Sequence, residues 1–247
     1  MQATYQPEAT VSLSERFLST FNAIEHRLRE ITGENDVTVG YSQLVDLASG
    51  EVPEVRQYRD ELRGLGYLRN AMVHGYKGKR AMAEPEPWVV EEIEKLERII
   101  SEPPPVYPDF CTREVHTLAP TDSVARAVTM MRQGGYSQMP IYEGKAFRGL
   151  LTPDALTVWL GERAAAGVLT LNETPISDVL ALAKYEDYIF AGRETNVFEA
   201  FEHFRRFQKQ GRELRAVLIT EHGRENQKLL GIMTDRDLAG AYAAVEV

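Results

Sequence analysis

The sequence predicts an α+β protein in which an N-terminal antiparallel helical bundle is followed by two βαββα units in tandem. The first part of the chain shows only apolar stripes at helical spacing. Four prolines then occur between Pro103 and Pro108, and after them a pattern of short strands and helices occurs twice. These features predict a bundle, a proline linker and two repeats, over 1–102, 103–108, 109–170 and 171–247.

Charge and cysteine content narrow the class of protein. The 247 residues include 28 Lys and Arg and 37 Asp and Glu, so the net charge is −9 at pH 7. This balance disfavours indiscriminate coating of nucleic acid, although a local basic patch can still hold a phosphate backbone. The single cysteine, Cys111, cannot form an internal disulfide, and no apolar run reaches the roughly 18 residues of a bilayer span. With no signal-peptide pattern at the N-terminus, we expect a cytoplasmic protein without a membrane partner.

The bundle is predicted from four segments, each with an apolar stripe at spacings of three and four. They lie at about 14–33, 42–48, 54–74 and 87–100. Ser12 or Ser14 is the expected N-cap of the first helix, and Gly33 is expected to end it. In the fourth helix, Trp88 is predicted to face inward. Short helices with one apolar face each imply a small antiparallel bundle.

The two repeats are matched by four residue pairs that share two offsets. The pairs are Val124 with Val197, Ala127 with Ala200, Gly149 with Gly231, and Thr152 with Thr234. The offset rises from 73 to 82 between the second and third pairs, so nine extra residues lie within the second repeat. Two halves of this kind are expected to pack about a pseudo-twofold axis, and the cleft between them is a natural ligand site.

The second repeat carries the sequence Ala-Val-Leu-Ile at 216–219 and Gly-Ile-Met-Thr-Asp-Arg-Asp-Leu at 231–238. This pattern resembles the CBS domain, and the two repeats together resemble a Bateman module over about 109–247. The resemblance implies a homodimer that binds AMP, ADP or ATP as a regulatory ligand. It also implies that a Thr followed three residues later by Asp, here Thr234 and Asp237, binds the ribose and phosphate of adenosine.

The residue types fit that role. A Thr hydroxyl and the N-terminus of the next helix offer donors to a phosphate, and Arg236 can pair with it. The Asp237 carboxylate can accept both ribose hydroxyls. The first repeat departs from the pattern, because Thr152 is followed two residues later by Asp154. Thr152 and Asp154 are candidates for a second nucleotide site. The alternative in both repeats is that Thr caps a helix whose first turn holds the Asp.

The third predicted helix ends in Arg69-Asn70, three further residues, His74, one residue and Tyr76. This spacing resembles the signature of HEPN domains, with a bundle over about 10–100. The resemblance implies a metal-independent endoribonuclease that acts as a dimer, with Arg69, Asn70, His74 and Tyr76 in its catalytic site. It further implies RNA as a substrate and, as in the toxins of that family, a protein antitoxin that modifies the tyrosine.

The chemistry of RNA cleavage agrees with these residue types. Histidine transfers protons near pH 7, and the arginine fork stabilises charge on phosphorus. Asn70 and His74 lie one above the other at i, i+4, whereas Arg69 lies about 140° from His74, near the apolar stripe. Convergence of Arg69 and His74 on one phosphate therefore needs two antiparallel copies of the helix. The alternative is a helix that ends in a solvated loop.

Two functions from different classes are left open. One is an endoribonuclease regulated by an adenine nucleotide, and the other is a non-enzymatic sensor whose helical domain binds a partner. No metal is expected in either, because the remaining histidines lack neighbours at metal-ligand spacing and the chain has one cysteine.

Overall fold

The computed structural model describes residues 11–74, 84–167, 169–182 and 187–246. They divide into two compact units. The first contains the chain up to Pro104 and its last residues from Val245, and the second runs from Pro105 to Ala244. Among the described residues, no helix has both the length and the apolar character that crossing a bilayer requires.

The first unit is helical, as the apolar stripes predict. Its described helices are α1 Leu13–Thr32, α2 Tyr41–Glu51, α3 Pro53–Gln57, α4 Arg59–His74 and α5 Pro87–Ser101. Ser12 and Glu15 form a capping box at the start of α1, and Gly33 ends it with a φ of 65°. The core is filled from α1 by Phe17, Phe21, Ile24 and Leu28, all of which are buried.

Two details of the bundle differ from the prediction. The third helix is broken at Tyr58, which ends α3 and whose carbonyl accepts the first hydrogen bond of α4 from Leu62 N–H at 2.9 Å. Val55, Tyr58 and Leu62 stay buried across the break, so the apolar spacing carried no sign of it. The inward placement of Trp88 is wrong, because this side chain is 63% exposed. Trp88 lies in the first turn of α5, ahead of Val90, where the buried stripe begins.

The second unit follows the duplicated pattern. Its elements are α6 Val124–Gly134, β1 Met139–Glu143, β2 Ala146–Leu151, α7 Pro153–Ala165, α8 Ile176–Leu180, β3 Tyr188–Gly192, α9 Val197–Lys209, β4 Ala216–Thr220, β5 Leu229–Met233 and α10 Asp235–Val245. The first repeat differs from the predicted βαββα order, because its leading strand is reduced to a single bridge between Leu118 and Ile141. The short helix α8 was not predicted.

Each repeat contributes a small sheet. Strands β1 and β2 are antiparallel, and Leu118 pairs in parallel with Ile141 of β1. In the second repeat β4 lies between β3, which is parallel to it, and β5, which is antiparallel. Thr112 adds an antiparallel bridge to Ile232 of β5. A segment at the start of the first repeat therefore pairs with the sheet of the second.

This exchange is reciprocal. Val106 N–H donates to the Thr195 carbonyl at 2.9 Å, just before α9, and Ile176 N–H donates to the Asp122 carbonyl at 2.9 Å, just before α6. Val106 and Ile176 are both buried. The segment that leads into each repeat thus docks on the other repeat. For this reason the predicted linker 103–108 is divided, and the chain from Pro105 onward belongs to the second unit.

A shared core joins the two repeats. Leu150 of β2 is buried with Ala216, Leu218 and Ile232 of the second sheet. Phe147, also from β2, lies edge-on to two aromatic rings of β3, with centroid distances of 5.0 Å to Tyr188 and 5.1 Å to Phe190. Because neither repeat buries these residues alone, the pair is one packing unit.

The matched glycines lie under the exchanged segments. A Cβ on Gly231 would come within 2.7 Å of the Cys111 sulfur and 3.3 Å of the Thr112 carbonyl oxygen. At the equivalent place in the first repeat, Gly149 has a φ of 144° and faces Leu180 of α8. Glycine at both positions lets the incoming segment approach the third strand of the repeat.

We expect Gly231→Ala to lower the free energy of unfolding of the second unit by about 1–3 kcal/mol, because the new methyl group collides with the Cys111 sulfur. Adding Cys111→Ala removes that sulfur and should restore part of the loss. The matched control is Gly240→Ala in α10, where a Cβ meets nothing within 4 Å. This control should raise stability by up to about 1 kcal/mol, since alanine favours the helix.

Urea titration followed by Trp159 fluorescence measures these effects. Trp159 is buried in the core of the first repeat, and a Trp88→Phe background removes the other tryptophan signal. Equal stability of Gly231→Ala and the parent protein would show that the Cys111 segment does not press on β5.

Candidate functional site

Three segments that are distant in sequence meet in a cleft between the repeats. Its wall contains Thr234, Arg236 and Asp237 at the start of α10, Thr112 with residues 114–116, and the α6–β1 connection 135–138. The cavity that they enclose is small, about 110 Å³. The structure therefore brings together the three residues predicted from the second repeat, and it places them opposite residues of the first.

The Asp237 side chain, in the first turn of α10, bonds back to Thr234, the residue before the helix. Asp237 Oδ2 accepts hydrogen bonds from the Thr234 N–H at 2.7 Å and from the Thr234 hydroxyl at 3.0 Å. This contact is one half of a capping box, in which the acid of the first turn accepts from the N–H of the residue before the helix. It does not exclude a ligand, because the other carboxylate oxygen, Oδ1, receives no hydrogen bond from the described residues. A carboxylate has acceptor sites on both oxygens.

Arg236 spans the cleft. Its guanidinium donates to the Gly135 carbonyl at 2.9 Å, at the end of α6. Gly135 adopts the left-handed conformation, with a φ of 67°, and so ends the helix there. The side chain of Arg236 thus links the two repeats, while its remaining N–H groups are available to a ligand.

The opposite wall carries an aromatic pair that the sequence did not single out. The rings of His116 and Tyr136 lie 5.3 Å apart at an angle of 40°. Both residues line the cleft, and they precede Leu118 and β1, the paired segments of the first repeat. Because both residues lie just before paired segments of the first repeat, their positions in the sequence could have indicated that they line the cleft. A planar ring system can stack on such a surface.

The corresponding residues of the first repeat, Thr152 and Asp154, have different contacts. The Thr152 hydroxyl accepts from the Ala155 N–H at 3.2 Å and caps α7. Asp154 forms an ion pair with Arg215, which also contacts Glu213 at 2.9 Å. Neither Thr152 nor Asp154 lines the cavity at Thr234. Arg215 immediately precedes β4, as Gln138 precedes β1, so Arg215 occupies the position that corresponds in the duplicated pattern to a residue of the cleft wall.

A larger cavity of about 770 Å³ adjoins this cleft. Glu114, Val115 and His116 contribute to the walls of both cavities. The rest of the larger cavity is formed by the β1–β2 turn and by the end of the β4–β5 connection. Three cationic residues line it, namely Arg113, Lys145 and Lys228.

Cys111 provides a chemical probe of the cleft. Burial, with a contribution from the Asp237 carboxylate, raises the pKa of the Cys111 thiol to about 11. The thiol is therefore protonated and weakly nucleophilic at neutral pH. Because the chain has one cysteine, any thiol reaction reports this position.

In the helical unit, two of the four predicted catalytic residues have described side chains. Asn70 is exposed, and its Oδ1 accepts from an Nη of Arg69 at 3.3 Å. The Arg69 guanidinium lies over the Phe21 ring at 5.8 Å, and its Nε is buried without a hydrogen-bond partner. Arg69 thus lies on the apolar side of α4, as its angle on the helix predicts. The His74 side chain and Tyr76 lie outside the described residues.

Within the described ranges, no group of three or more His, Cys, Asp or Glu side chains is arranged to hold a metal ion.

Comparison with known proteins identifies the duplicated region. The family model of the CBS domain matches residues 106–162 and 176–244, together half of the chain. CBSX2, solved in complex with AMP, is 17% identical over 56% of this chain and 95% of its own, with a TM-score of 0.41. A CBS-domain containing protein from Agrobacterium tumefaciens is 19% identical over 52% and 84%, with a TM-score of 0.40.

A third solved structure is that of Hypoxic Response Protein I with two coordinated zinc ions. It is 20% identical over 53% of this chain and 94% of its own, with a TM-score of 0.38. No curated protein matches the sequence.

Replacing Asp237 should change the reactivity of Cys111. Asp237→Asn removes the negative charge that raises the pKa of the thiol, so the thiolate fraction at pH 9 should increase. We expect iodoacetamide to alkylate Cys111 roughly two to five times faster in this variant. The control is Asp235→Asn. Asp235 lies two residues before Asp237 in the first turn of α10 and does not line the cleft. Mass spectrometry measures the alkylation rates from pH 7 to 10. Equal rates in the two variants would show that the charge of Asp237 does not affect the thiol.

Proposed function

Since the chain belongs to the CBS domain family, we propose that its paired repeats are a receptor for an adenine nucleotide that regulates the N-terminal helical unit. The observation that carries the proposal is the cleft at the start of α10. There, a carboxylate oxygen without a hydrogen bond from the described residues, an arginine and an aromatic pair face one another across the two repeats.

Each part of the cleft suits one part of a nucleotide. The Oδ1 of Asp237 is an acceptor for ribose hydroxyls, and His116 and Tyr136 offer a surface on which adenine stacks. Arg236 keeps donors for an anionic group while it holds the Gly135 carbonyl. Thr234 acts by positioning Asp237, since its N–H and hydroxyl both donate to that carboxylate.

Regulation follows if the nucleotide prefers one arrangement of the repeats. A ligand that contacts Asp237 in one repeat and Tyr136 in the other stabilises the arrangement in which the two approach most closely. It shifts the equilibrium only by its difference in affinity for the two arrangements. The homodimer implied by the family resemblance is part of this proposal, and sedimentation of the full chain with and without AMP tests it.

For the helical unit we propose a metal-independent endoribonuclease, with Arg69, Asn70, His74 and Tyr76 as its site. The exposed position of Asn70 on α4 and its contact with Arg69 support this proposal. The alternative is a partner-binding domain, which needs none of these residues to react. In that case the chain is a sensor without enzymatic activity.

Mutation of His74 separates these two functions. We expect purified protein to cleave mixed RNA in EDTA, and His74→Ala to lose the cleavage, because the imidazole transfers the proton. The control is His26→Ala, a surface residue of α1. Gel electrophoresis measures the cleavage. If the RNA stays intact with every nucleotide tried, the endoribonuclease proposal is wrong and the partner-binding function is retained. Cleavage that persists in His74→Ala would indicate a contaminating nuclease.

Binding of AMP, ADP or ATP should depend on Asp237. We expect Asp237→Asn to weaken binding by about 1–3 kcal/mol, the value of a hydrogen bond to a charged group, in isothermal titration calorimetry. The amide oxygen can still cap α10, so the fold should be retained. Asp235→Asn lies in the same helical turn and should bind as the parent does. An absence of heat with every adenine nucleotide in the parent protein would overturn the receptor proposal.

The same titrations give the stoichiometry. We expect one nucleotide per chain, because Arg215 neutralises Asp154 in the first repeat. Two nucleotides per chain, reduced to one in Thr152→Ala/Asp154→Ala, would show that the predicted first site is also occupied.

A further inference from the structure

The helical unit contains a cavity of its own. Its volume is about 520 Å³, within the range of roughly 300–1,000 Å³ that small-molecule sites occupy. The walls come from α1, from the connection between α1 and α2, from the start of α2 and from the C-terminal half of α4. All of these residues belong to the first unit, so a ligand bound there needs no residue of the paired repeats.

One cation in the wall has no ionic partner. Three lining residues are charged, namely Glu25, Arg29 and Arg69. Arg29 donates to the Glu25 carboxylate at 3.0 Å, and the two charges offset each other. Arg29 also donates to the Asp36 carbonyl at 3.1 Å and the Val39 carbonyl at 3.2 Å. Arg69 forms no ion pair within the described part of the chain, so the cavity carries one uncompensated positive charge.

Two buried donors of the same wall lack partners. The Tyr41 hydroxyl and the Arg69 Nε are buried, and neither has a hydrogen-bond partner among the described residues. Burial, followed by the charge of Glu25, raises the pKa of Tyr41, so its hydroxyl keeps the proton that it can donate. A buried polar group without a partner costs stability unless a ligand or water satisfies it.

Packing fixes both side chains in the wall. The Tyr41 ring lies 4.3 Å from the Phe21 ring, and a Cβ on Gly66 would come within 2.8 Å of the Tyr41 Cδ1 atom. The Arg69 guanidinium lies over the same Phe21 ring at 5.8 Å. A ligand therefore meets donors whose positions are set before it binds, which lowers the entropy lost on binding.

The α1–α2 connection adds an apolar surface to the cavity. Val37 and Val39 line it, and the Val37 side chain is 87% exposed. A fitting ligand thus combines an apolar body with one negative charge. A carboxylate meets this requirement, because it carries a single charge and matches the planar fork of arginine. A phosphate monoester carries more than one charge at neutral pH, and the Glu25 carboxylate opposes the second.

We infer that the cavity at Arg69 and Tyr41 binds a small carboxylic acid with an apolar body. The Nη end of Arg69 pairs with the carboxylate, the Tyr41 hydroxyl donates to it, and Val37 and Val39 cover the apolar part. This ligand site goes beyond the proposed function. It requires neither the nucleotide receptor nor the endoribonuclease, although it shares Arg69 with the latter.

NMR of the full chain labelled with ¹⁵N-arginine tests the inference, because the Arg69 Nε–H lies in the cavity wall. Its resonance is identified by its absence in Arg69→Lys. We expect sodium benzoate to shift this resonance to saturation and to bind at least about threefold more tightly than acetate, which lacks the apolar ring. Inorganic phosphate and dimethyl phosphate, a model of the RNA backbone, should bind at least about tenfold more weakly than benzoate.

Tyr41→Phe separates ligand binding from folding. We expect this variant to weaken benzoate binding at least about threefold, because a hydrogen-bond donor is lost. Its Tm without ligand should be equal to that of the parent or higher, since the variant no longer buries a hydroxyl without a partner. The matched control is Tyr67→Phe. Tyr67 is an exposed residue of α4 that does not line the cavity, and its replacement should change neither quantity.

The absence of a saturable shift with both benzoate and acetate would overturn the inference, and so would equal benzoate affinity in Tyr41→Phe and the parent protein. If dimethyl phosphate binds as tightly as benzoate, the cavity is a phosphodiester site and its assignment to a carboxylic acid is wrong. These titrations contain no RNA and no nucleotide, so their failure leaves the two functions proposed above unchanged.

Discussion

The exchange of leading segments between the two repeats is the constraint on which the rest of the second unit depends. Val106 N–H bonds to Thr195 beside α9, and Ile176 N–H bonds to Asp122 beside α6. Because each segment completes the other repeat, neither repeat can leave the pair without exposing Val106 or Ile176, both of which are buried. The close approach of one exchanged segment to β5 also explains why position 231 must lack a side chain.

The same exchange creates the cleft. The segment 112–118 passes from the bridge at Ile232 in the second sheet to the bridge at Ile141 in the first, and its residues 114–116 line the cleft at Asp237. Asp237 lies in this cleft with its two carboxylate oxygens in different surroundings. One carboxylate oxygen fixes the start of α10, and the other is left for a ligand. Capping holds the carboxylate in one rotamer, and a fixed acceptor loses less entropy when a ligand binds.

The two repeats differ at the start of α7 and of α10. In the first repeat, the helix begins with Pro153 after Thr152, and the acid lies one position earlier than in the second. Asp154 then pairs with Arg215, a residue contributed by the other repeat. A cation in that place satisfies the carboxylate internally, whereas Asp237 faces a cleft. Charge is therefore distributed unevenly across the pseudo-twofold, with the cationic cavity next to the open cleft.

The sequence alone determined the helical first part, the duplicated second part and the pairing of Gly149 with Gly231, because apolar spacing and internal similarity are local signals. It also predicted Thr234, Arg236 and Asp237 as candidate ligand-binding residues, because they lie within four consecutive positions of one local pattern. Tertiary structure decided what faces them. The meeting of Asp237 with Tyr136 and His116, and the pairing of Asp154 with Arg215, join residues that are dozens of positions apart. Such contacts arise from the docking of one repeat on the other, and that docking has no periodic signature in the chain.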